Sequence, residues 1–596
     1  MQPSVPPRSS PHPGHHTTKE DQNSRFTDKR SSITTDLCSN KLARIPTPSS
    51  NETLEKPSEP SLSSAGSTVA ADSEPCLSTF TLLLAHMGSA LALFLATTDA
   101  TIISTSLPSI ANDLSASRSE YTWVGVAYML TQTAFQPLYG CLSQLVGQKV
   151  LLFMSMTIFA VGSFLCGVSQ SITWLITCRA LSGIGGGGIV ASVWVITSRL
   201  VAPEKRAQWS QALSVTWCSS AVAGPLLGGV FSSEHNNSLS WRWGFFLNLP
   251  IAALAGIILV LSLKNVSLAD PNPPSWSQVF AKFDFIGLFF FMTGTCGIIV
   301  GFSFSTEIGW ATAQTIASST LGLIVLILGG LYEVKTTREP LFPPVAFRDH
   351  NVVAILVITF LHNVAFTAGT FYLVIYFQIV NSMTPLQAGI STMPYSLGGA
   401  LASVPVAWFL GWWQKRRKNT LGHNLVISVG LLASTVGFGL MITMDDHSNS
   451  ATQFGLPLLA GIGTGMLFHA PYQVFTFVLQ EAELPSGTSA FFLVRFTGAT
   501  IGLACAGTVF FAKASSVSEL NDAGLLSSSR LNYEELSLLG PLVRTDVVHA
   551  IASSIKMVWI VCTPCLGVAT VISFLIRVTS TDRDESQSKQ EKVDGA

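Results

Sequence analysis

The stretch AVAGPLLGGV, Ala221–Val230, places one proline and three glycines inside an otherwise apolar segment. Proline removes a backbone donor and costs on the order of 3 kcal/mol in a helix interior, and glycine costs about 1 kcal/mol relative to alanine. An ordinary soluble helix that carried Gly224, Pro225, Gly228 and Gly229 would be strongly destabilised. The stretch therefore predicts a helix that needs a bend or a very close neighbour.

The composition around this stretch is that of a membrane protein. Of 596 residues, 48% are hydrophobic and 11% are charged, against about 25% charged in an ordinary soluble domain. Apolar runs of about 20 residues, the length that crosses a bilayer, recur from Phe80 to Leu575. We count fourteen spans, at 79–102, 121–143, 150–170, 174–199, 208–231, 243–263, 284–304, 312–333, 352–379, 387–412, 423–443, 453–478, 488–512 and 551–577.

The charges between these spans predict an orientation, because short cytoplasmic loops collect Lys and Arg. Alternate loops hold most of the cations, including Lys149 and the run from Lys415 to Lys418. The short loops on the other side hold only Arg118 and Arg242. Both termini are therefore expected in the cytoplasm. A glycosylation tripeptide at Asn236 and a long polar loop at 514–549 fall on the outer side.

Motifs follow one another in order on consecutive spans. They are DATIISTSLPSIANDL from Asp99, GCLSQLVGQK from Gly140, RALSGIGGGG from Arg179, AGPLLGG from Ala223 and WRWGFFLNLP from Trp241. In this order they resemble the major facilitator superfamily, specifically the fourteen-span drug:proton antiporters of fungi, over roughly residues 80–577. The resemblance implies an all-α membrane protein, the major facilitator fold, with two six-helix bundles facing a central cavity and two additional helices between them. Such proteins move solutes by alternating access.

The same resemblance divides the chain. It implies an N-terminal bundle at 78–265, an additional helix pair at 283–333 and a C-terminal bundle at 350–577. The ends lie outside the resemblance: the polar, Ser-, Pro- and Thr-rich composition of residues 1–77 predicts a disordered cytoplasmic tail, and we expect a second cytoplasmic tail at 578–596. The sequence has no phosphate loop, serine nucleophile elbow or His/Cys metal cluster, so we expect a transporter without cofactors rather than an enzyme. Its expected partners are a small-molecule substrate, protons and the lipid bilayer. We expect no nucleic acid partner and a monomer.

Ionisable residues inside the spans are the best candidates for function, since each costs at least about 2.5 kcal/mol at the bilayer centre. Asp99 is one, and its alternative interpretation is a solvated helix terminus. Arg179 matches the arginine that the family motif associates with proton coupling, where a cation favours the ionised form of a nearby carboxylate. Its alternative is an interfacial, snorkelling side chain. Arg495 is the corresponding candidate in the second half.

Two motifs concern conformational change. The stretch with Gly224, Pro225, Gly228 and Gly229 resembles the antiporter motif, in which a bend of the fifth helix is thought to seal the cavity against proton leak; tight packing alone is the alternative.

The loop after span two resembles the family's gating loop, which latches the two bundles by charge. Gly140, Gly147 and Lys149 remain in this chain, but Gln144 and Gln148 replace an acid and an arginine. An amide loses the charge-assisted bond, so the latch is expected to be weaker or different.

Three functions remain open at this point. The leading hypothesis is a proton-coupled exporter of an apolar or amphipathic small molecule at the plasma membrane, such as a secondary metabolite, glycolipid or drug. The second is a vacuolar transporter of basic amino acids, because YMLTQTAFQPLYG, Tyr128–Gly140, also looks like that branch. The third is a non-transporting nutrient sensor, against which the short C-terminal tail argues.

Overall fold

A computed structural model describes residues 78–116, 118–201, 203–232, 240–264, 266, 268, 275, 277–278, 283–336, 338, 349–479, 483–515 and 541–580. Almost all of the described chain between Thr79 and Ser573 is helical. The described residues form no sheet, and one isolated antiparallel bridge joins Asn419 to Ser580. The prediction of an all-α membrane fold is confirmed. The predicted glycosylation site Asn236, the tail at 1–77 and residues 581–596 lie outside the described residues.

Eight helices lie in the described residues between Thr79 and Leu263. They are α1 (Thr79–Asp113), α2 (Arg118–Ala134), α3 (Gln136–Val146), α4 (Gln148–Gly167), α5 (Ile172–Leu200), α6 (Pro203–Phe231), α7 (Arg242–Phe246) and α8 (Asn248–Leu263). Helix α1 is 35 residues long, and packs lengthwise against α6 and α8, while α5 packs against α2 and α4.

The second half continues the numbering. Its helices are α9 (Phe285–Ile308), α10 (Ala313–Lys335), α11 (His350–Ile375, extended by the π-helix Tyr376–Val380), α12 (Pro385–Ser391), α13 (Met393–Arg417), α14 (Leu421–Met441), α15 (Ser450–Met466), α16 (Ala470–Val478), α17 (Leu484–Ser515) and α18 (Pro541–Ser573). Helix α11 packs against α17 and α18, and α15 packs between α13 and α14. The two bundles meet along α6 with α12 and α13, and along α3 with α17.

Thirteen helical segments of the described chain are long and apolar enough to cross a membrane. The span predicted at 121–143 is instead divided at Phe135 into α2, of 17 residues, and α3, of 11 residues. Pro137 stands at the start of α3, where its missing N–H does least harm. A fourteenth crossing at this position therefore stays a prediction.

The helix boundaries differ from the apolar runs. Helix α1 continues eleven residues beyond the predicted end at residue 102, and α18 begins at Pro541 inside the predicted outer loop. Thr579, assigned to the C-terminal tail, accepts a backbone hydrogen bond from Thr420 at 3.0 Å. A hydropathy window marks only the apolar part of a segment, whereas a helix continues into the polar interface as long as its backbone bonds are made.

The additional pair, α9 and α10, lies at the seam of the two bundles. Helix α9 contacts both α2 and α17, and the hydroxyls of Ser305 and Thr508 lie 2.7 Å apart. Helix α10 packs mainly on α9 and leaves large apolar side chains such as Leu321 and Leu331 exposed. This exposure is that of a lipid-facing helix.

Candidate functional site

A buried ion pair joins the first and fourth predicted spans. The guanidinium of Arg179 on α5 donates to the carboxylate of Asp99 on α1, and the two side chains are 1% and 0% exposed. Arg179 also donates to the backbone oxygens of Val124 at 3.3 Å and Asp99 at 3.4 Å. Neither a solvated terminus for Asp99 nor a snorkelling Arg179 agrees with this burial.

Side chains from three more helices complete the surroundings of the pair. The amide of Asn248, at the start of α8, donates to the second carboxylate oxygen of Asp99 at 3.0 Å and to Ser163 of α4 at 3.2 Å. The ring of Tyr128 on α2 lies 4.4 Å from the guanidinium carbon of Arg179. Five helices of the N-terminal bundle therefore contribute to one polar cluster in an apolar interior.

A cavity lies between the two bundles, close to this cluster. Its volume is about 60 Å³, enough for a few water molecules. The N-terminal bundle contributes Thr97, Gln132 and Trp217 to its wall, and the C-terminal bundle contributes Asn363, Phe366 and Arg495, among others. None of the described lining residues is acidic.

The ion pair lies behind the cavity wall rather than in it. Ala96, Thr97, Ala100 and Thr101 of α1 line the cavity. At about 100° per residue, Asp99 projects from another side of the helix, into the N-terminal bundle. A change at Asp99 would therefore act on the cavity through the packing of α1.

Arg495 faces the cavity in a different way from Arg179. It is 3% exposed, and its guanidinium carbon lies 4.1 Å from the ring centre of Trp217 and 4.9 Å from that of Phe468. Its Nε and Nη2 atoms have no hydrogen-bond partner in the described chain. The structure does not bring Arg495 together with Asp99.

The glycines of the antiporter-like motif lie where α6 packs against two other helices, α1 and α12. A side chain at Gly224 would place its Cβ 2.8 Å from Thr101 Cβ on α1, and one at Gly228 would meet Ser106 of α1 at 2.8 Å. Gly229 faces the other bundle, where its Cβ would lie 2.7 Å from the Cα of Leu386 on α12. Small residues let all three backbones approach closely.

Pro225 leaves a helix carbonyl without its usual donor, since the ring nitrogen cannot bond to the oxygen of Ala221 four residues earlier. Ser396 of α13 donates to that oxygen at 3.3 Å. The carbonyl of Pro225 itself accepts from Thr105 of α1 at 2.9 Å. The proline thereby creates an acceptor for the opposite bundle.

The predicted gating loop packs against α17 of the second bundle, at a part of the interface between the bundles distant in sequence from the contacts of α6. A Cβ at Gly140 would lie 3.0 Å from the Cα of Ser486 at the start of α17. Gly147 joins α3 to α4 with φ 82°, a left-handed conformation that favours glycine. Lys149 donates to the carbonyl of Leu263 at the end of α8, and Gln144 makes no hydrogen bond within the described residues. Among the described residues, these side chains form no ion pair with the second bundle, and a weaker or different latch stays a prediction.

Sequence reasoning missed Asn248 and Trp217, the partners of Asp99 and Arg495. Asn248 was within reach, because an amide in the apolar run WRWGFFLNLP needs a hydrogen-bond partner. Nothing in the sequence distinguishes Trp217 from the other tryptophans. His362 and His469 are buried beside aromatic rings.

Two helical bundles around a central cavity, with buried charges in the spans, define a multi-pass membrane transporter. The Major Facilitator Superfamily profile matches residues 89–503, and the chain belongs to this family. An uncharacterized transporter of Schizosaccharomyces pombe is 31% identical over 84% of this chain and 82% of its own length. The efflux pump dotC of Dothistroma septosporum is 31% identical over 81% of each chain.

The comparison with solved structures concerns the fold. The human organic anion transporter MFSD10 matches with a TM-score of 0.54 at 14% identity, over 83% of this chain and 99% of that one. The prediction of a transporter rather than an enzyme is confirmed by the family.

Proposed function

We propose that the chain is a proton-coupled exporter of an apolar or amphipathic small molecule at the plasma membrane. The observation that carries the proposal is the buried pair of Asp99 and Arg179, directly behind the α1 residues that line the cavity. The efflux pumps among its relatives support the direction of transport.

The pair supplies a way to couple a proton to the position of α1. When Asp99 is ionised, its carboxylate balances Arg179 and holds α1 against α5. A proton taken up by the carboxylate leaves the guanidinium buried without a counter-charge, a situation that costs about 3–5 kcal/mol in buried pairs that lose one partner. The helices then favour a different packing, and release of the proton to the cytoplasm restores the pair. One inward proton accompanies one outward movement of cargo.

The cavity weighs against the vacuolar transporter of basic amino acids. A dibasic cargo needs carboxylates, whereas the described cavity wall contains Arg495 and no acidic side chain. Fluorescent tagging would distinguish the plasma membrane from the vacuolar membrane.

The experiment begins with the cargo and then tests the coupling. Extracellular metabolites of a deletion strain and its parent are compared, and a compound missing from the medium of the deletion strain is used in proteoliposomes. We expect Asp99→Asn to exchange this compound across the membrane but not to move it uphill with a pH gradient. Asp113→Asn is the matched control, because Asp113 pairs with Arg242 at 2.7 Å on the surface.

Asp99→Asn alone leaves Arg179 unbalanced, so the double variant Asp99→Asn with Arg179→Gln serves as the second arm. It removes both charges together and should remain folded without coupling. Uphill, pH-driven transport at the wild-type rate by either variant would refute the proposed role of the pair.

A further inference from the structure

Two buried arginines in this chain have opposite surroundings. Arg179 has a carboxylate, two backbone carbonyls and an aromatic ring around it. Arg495 is equally buried but contacts rings, and within the described part of the chain no carboxylate lies close enough to form an ion pair with it. The first arginine is electrically balanced by the protein, and the second is not.

The rings around Arg495 compensate its charge only in part. Trp217, Phe468 and Phe492 lie 4.1, 4.9 and 5.8 Å from the guanidinium carbon, and an aromatic face attracts a cation. A guanidinium carries five N–H donors, however, and Nε and Nη2 of Arg495 find no acceptor in the described structure. A buried charge with unmade hydrogen bonds calls for an acceptor from outside the protein.

Because Arg495 lines the cavity, a molecule bound in the cavity is in position to supply that acceptor. Arg495 lines the cavity together with the amide side chains of Gln132 and Asn363, and Trp217 and Phe366 supply aromatic walls. Trp217 belongs to α6 of the first bundle and Arg495 to α17 of the second, so their contact crosses the seam. A drug-sized cargo does not fit into a cavity of about 60 Å³, so the two bundles must separate to admit it. This separation breaks the contact between Arg495 and Trp217, and the cargo takes the place of that contact.

We infer that Arg495 is the binding site for the acidic group of the cargo, and that the cargo is an apolar or aromatic carboxylate. The planar guanidinium fork matches a carboxylate through two parallel hydrogen bonds, while the aromatic walls cover the apolar body. This inference deepens the proposed export function and rests on it for the direction of movement. It separates the roles of the two arginines, with Arg179 in proton coupling and Arg495 in recognition.

Equilibrium binding tests the inference without any proton gradient. The purified full chain in lipid nanodiscs is titrated at pH 7.5 with radiolabelled 1-naphthaleneacetate and with 1-naphthaleneacetamide, its uncharged analogue. We expect the wild type to bind the carboxylate at least about tenfold more tightly than the amide. Arg495→Gln should bind the two with equal affinity, and Arg495→Lys, which keeps the charge without the fork, should retain part of the preference.

Arg416→Gln is the matched control. Arg416 also lies over a tryptophan, 4.9 Å from the ring centre of Trp412, but it is exposed at the end of α13. This variant should keep the wild-type preference. Thermal unfolding of each protein in nanodiscs verifies that Arg495→Gln is folded, and Arg495→Lys keeps the test decisive if it is not.

Several results would overturn the inference. One is equal binding of the two probes by the wild type, including no measurable binding of either. Another is a carboxylate preference that survives in folded Arg495→Gln. A third is loss of the preference when chloride is added to a low-salt buffer, because the guanidinium would then be a halide site. Selective binding without pH-driven export by the wild type would leave this inference standing and refute the proposed function instead.

Discussion

Gly229→Ala is the substitution that tests whether the glycine-rich stretch of α6 seals the cavity. A Cβ at this position would lie 2.7 Å from the Cα of Leu386 and 2.8 Å from the carbonyl oxygen of Pro385. Both atoms belong to the backbone of the opposite bundle and cannot rotate away. Since ordinary carbon contacts need about 3.5–4.0 Å, α6 and α12 must separate by about 1 Å.

This separation raises the free energy of the closed arrangement. Overpacking of this kind costs about 1–3 kcal/mol, and an opened outer end relieves it. The equilibrium should therefore shift toward the outward-open state by about 5- to 150-fold. Folding itself should change little, because the clash disappears when the bundles part.

The assay follows access to the cavity from outside. Ala100 lines the cavity, so Ala100→Cys is labelled with a membrane-impermeant thiol reagent in intact cells, and proton leak is measured in vesicles. Gly330→Ala is the matched control, since a Cβ there meets nothing within 4 Å. Labelling and leak in Gly229→Ala that equal those of the control would refute the sealing role.

Three further outcomes are expected. Asp99→Asn and Arg179→Gln should each lower the free energy of unfolding by about 3–5 kcal/mol, and the double variant should lose less than the sum; additive losses in thermal unfolding would contradict a direct ion pair. Ser396→Ala should lower the free energy of unfolding by about 0.6–1.7 kcal/mol, because it removes the hydrogen bond to the carbonyl of Ala221 between the bundles. The loss should be smaller in a Pro225→Ala background, where the restored N–H competes for the same carbonyl. Equal losses in both backgrounds would contradict this explanation. Arg417→Cys, exposed at the end of α13, should be labelled only after cells are permeabilised; labelling of intact cells would invert the proposed orientation.

The apolar runs and the order of the motifs were enough to predict the class of fold. A segment that crosses the lipid must be a long apolar helix whose backbone hydrogen bonds are made internally. The apolar residues that meet this requirement follow one another in the chain, so the sequence alone reveals them. The same local information identified Asp99, Arg179 and Arg495 as charged residues inside apolar spans, where a charge is costly and indicates a functional role. It did not reveal that the helix of the apolar run at 121–143 is divided at Phe135.

Only the tertiary structure decided what each charge meets. Asp99 and Arg179 lie 80 positions apart, and Asn248 lies 149 positions from Asp99. A helix that is apolar around most of its circumference carries no signal for the direction in which a given residue points, so its rotation follows from packing against several neighbours at once. That packing balances Arg179 with a carboxylate and leaves Arg495 facing the cavity among aromatic rings, a difference that two arginines in apolar runs do not reveal.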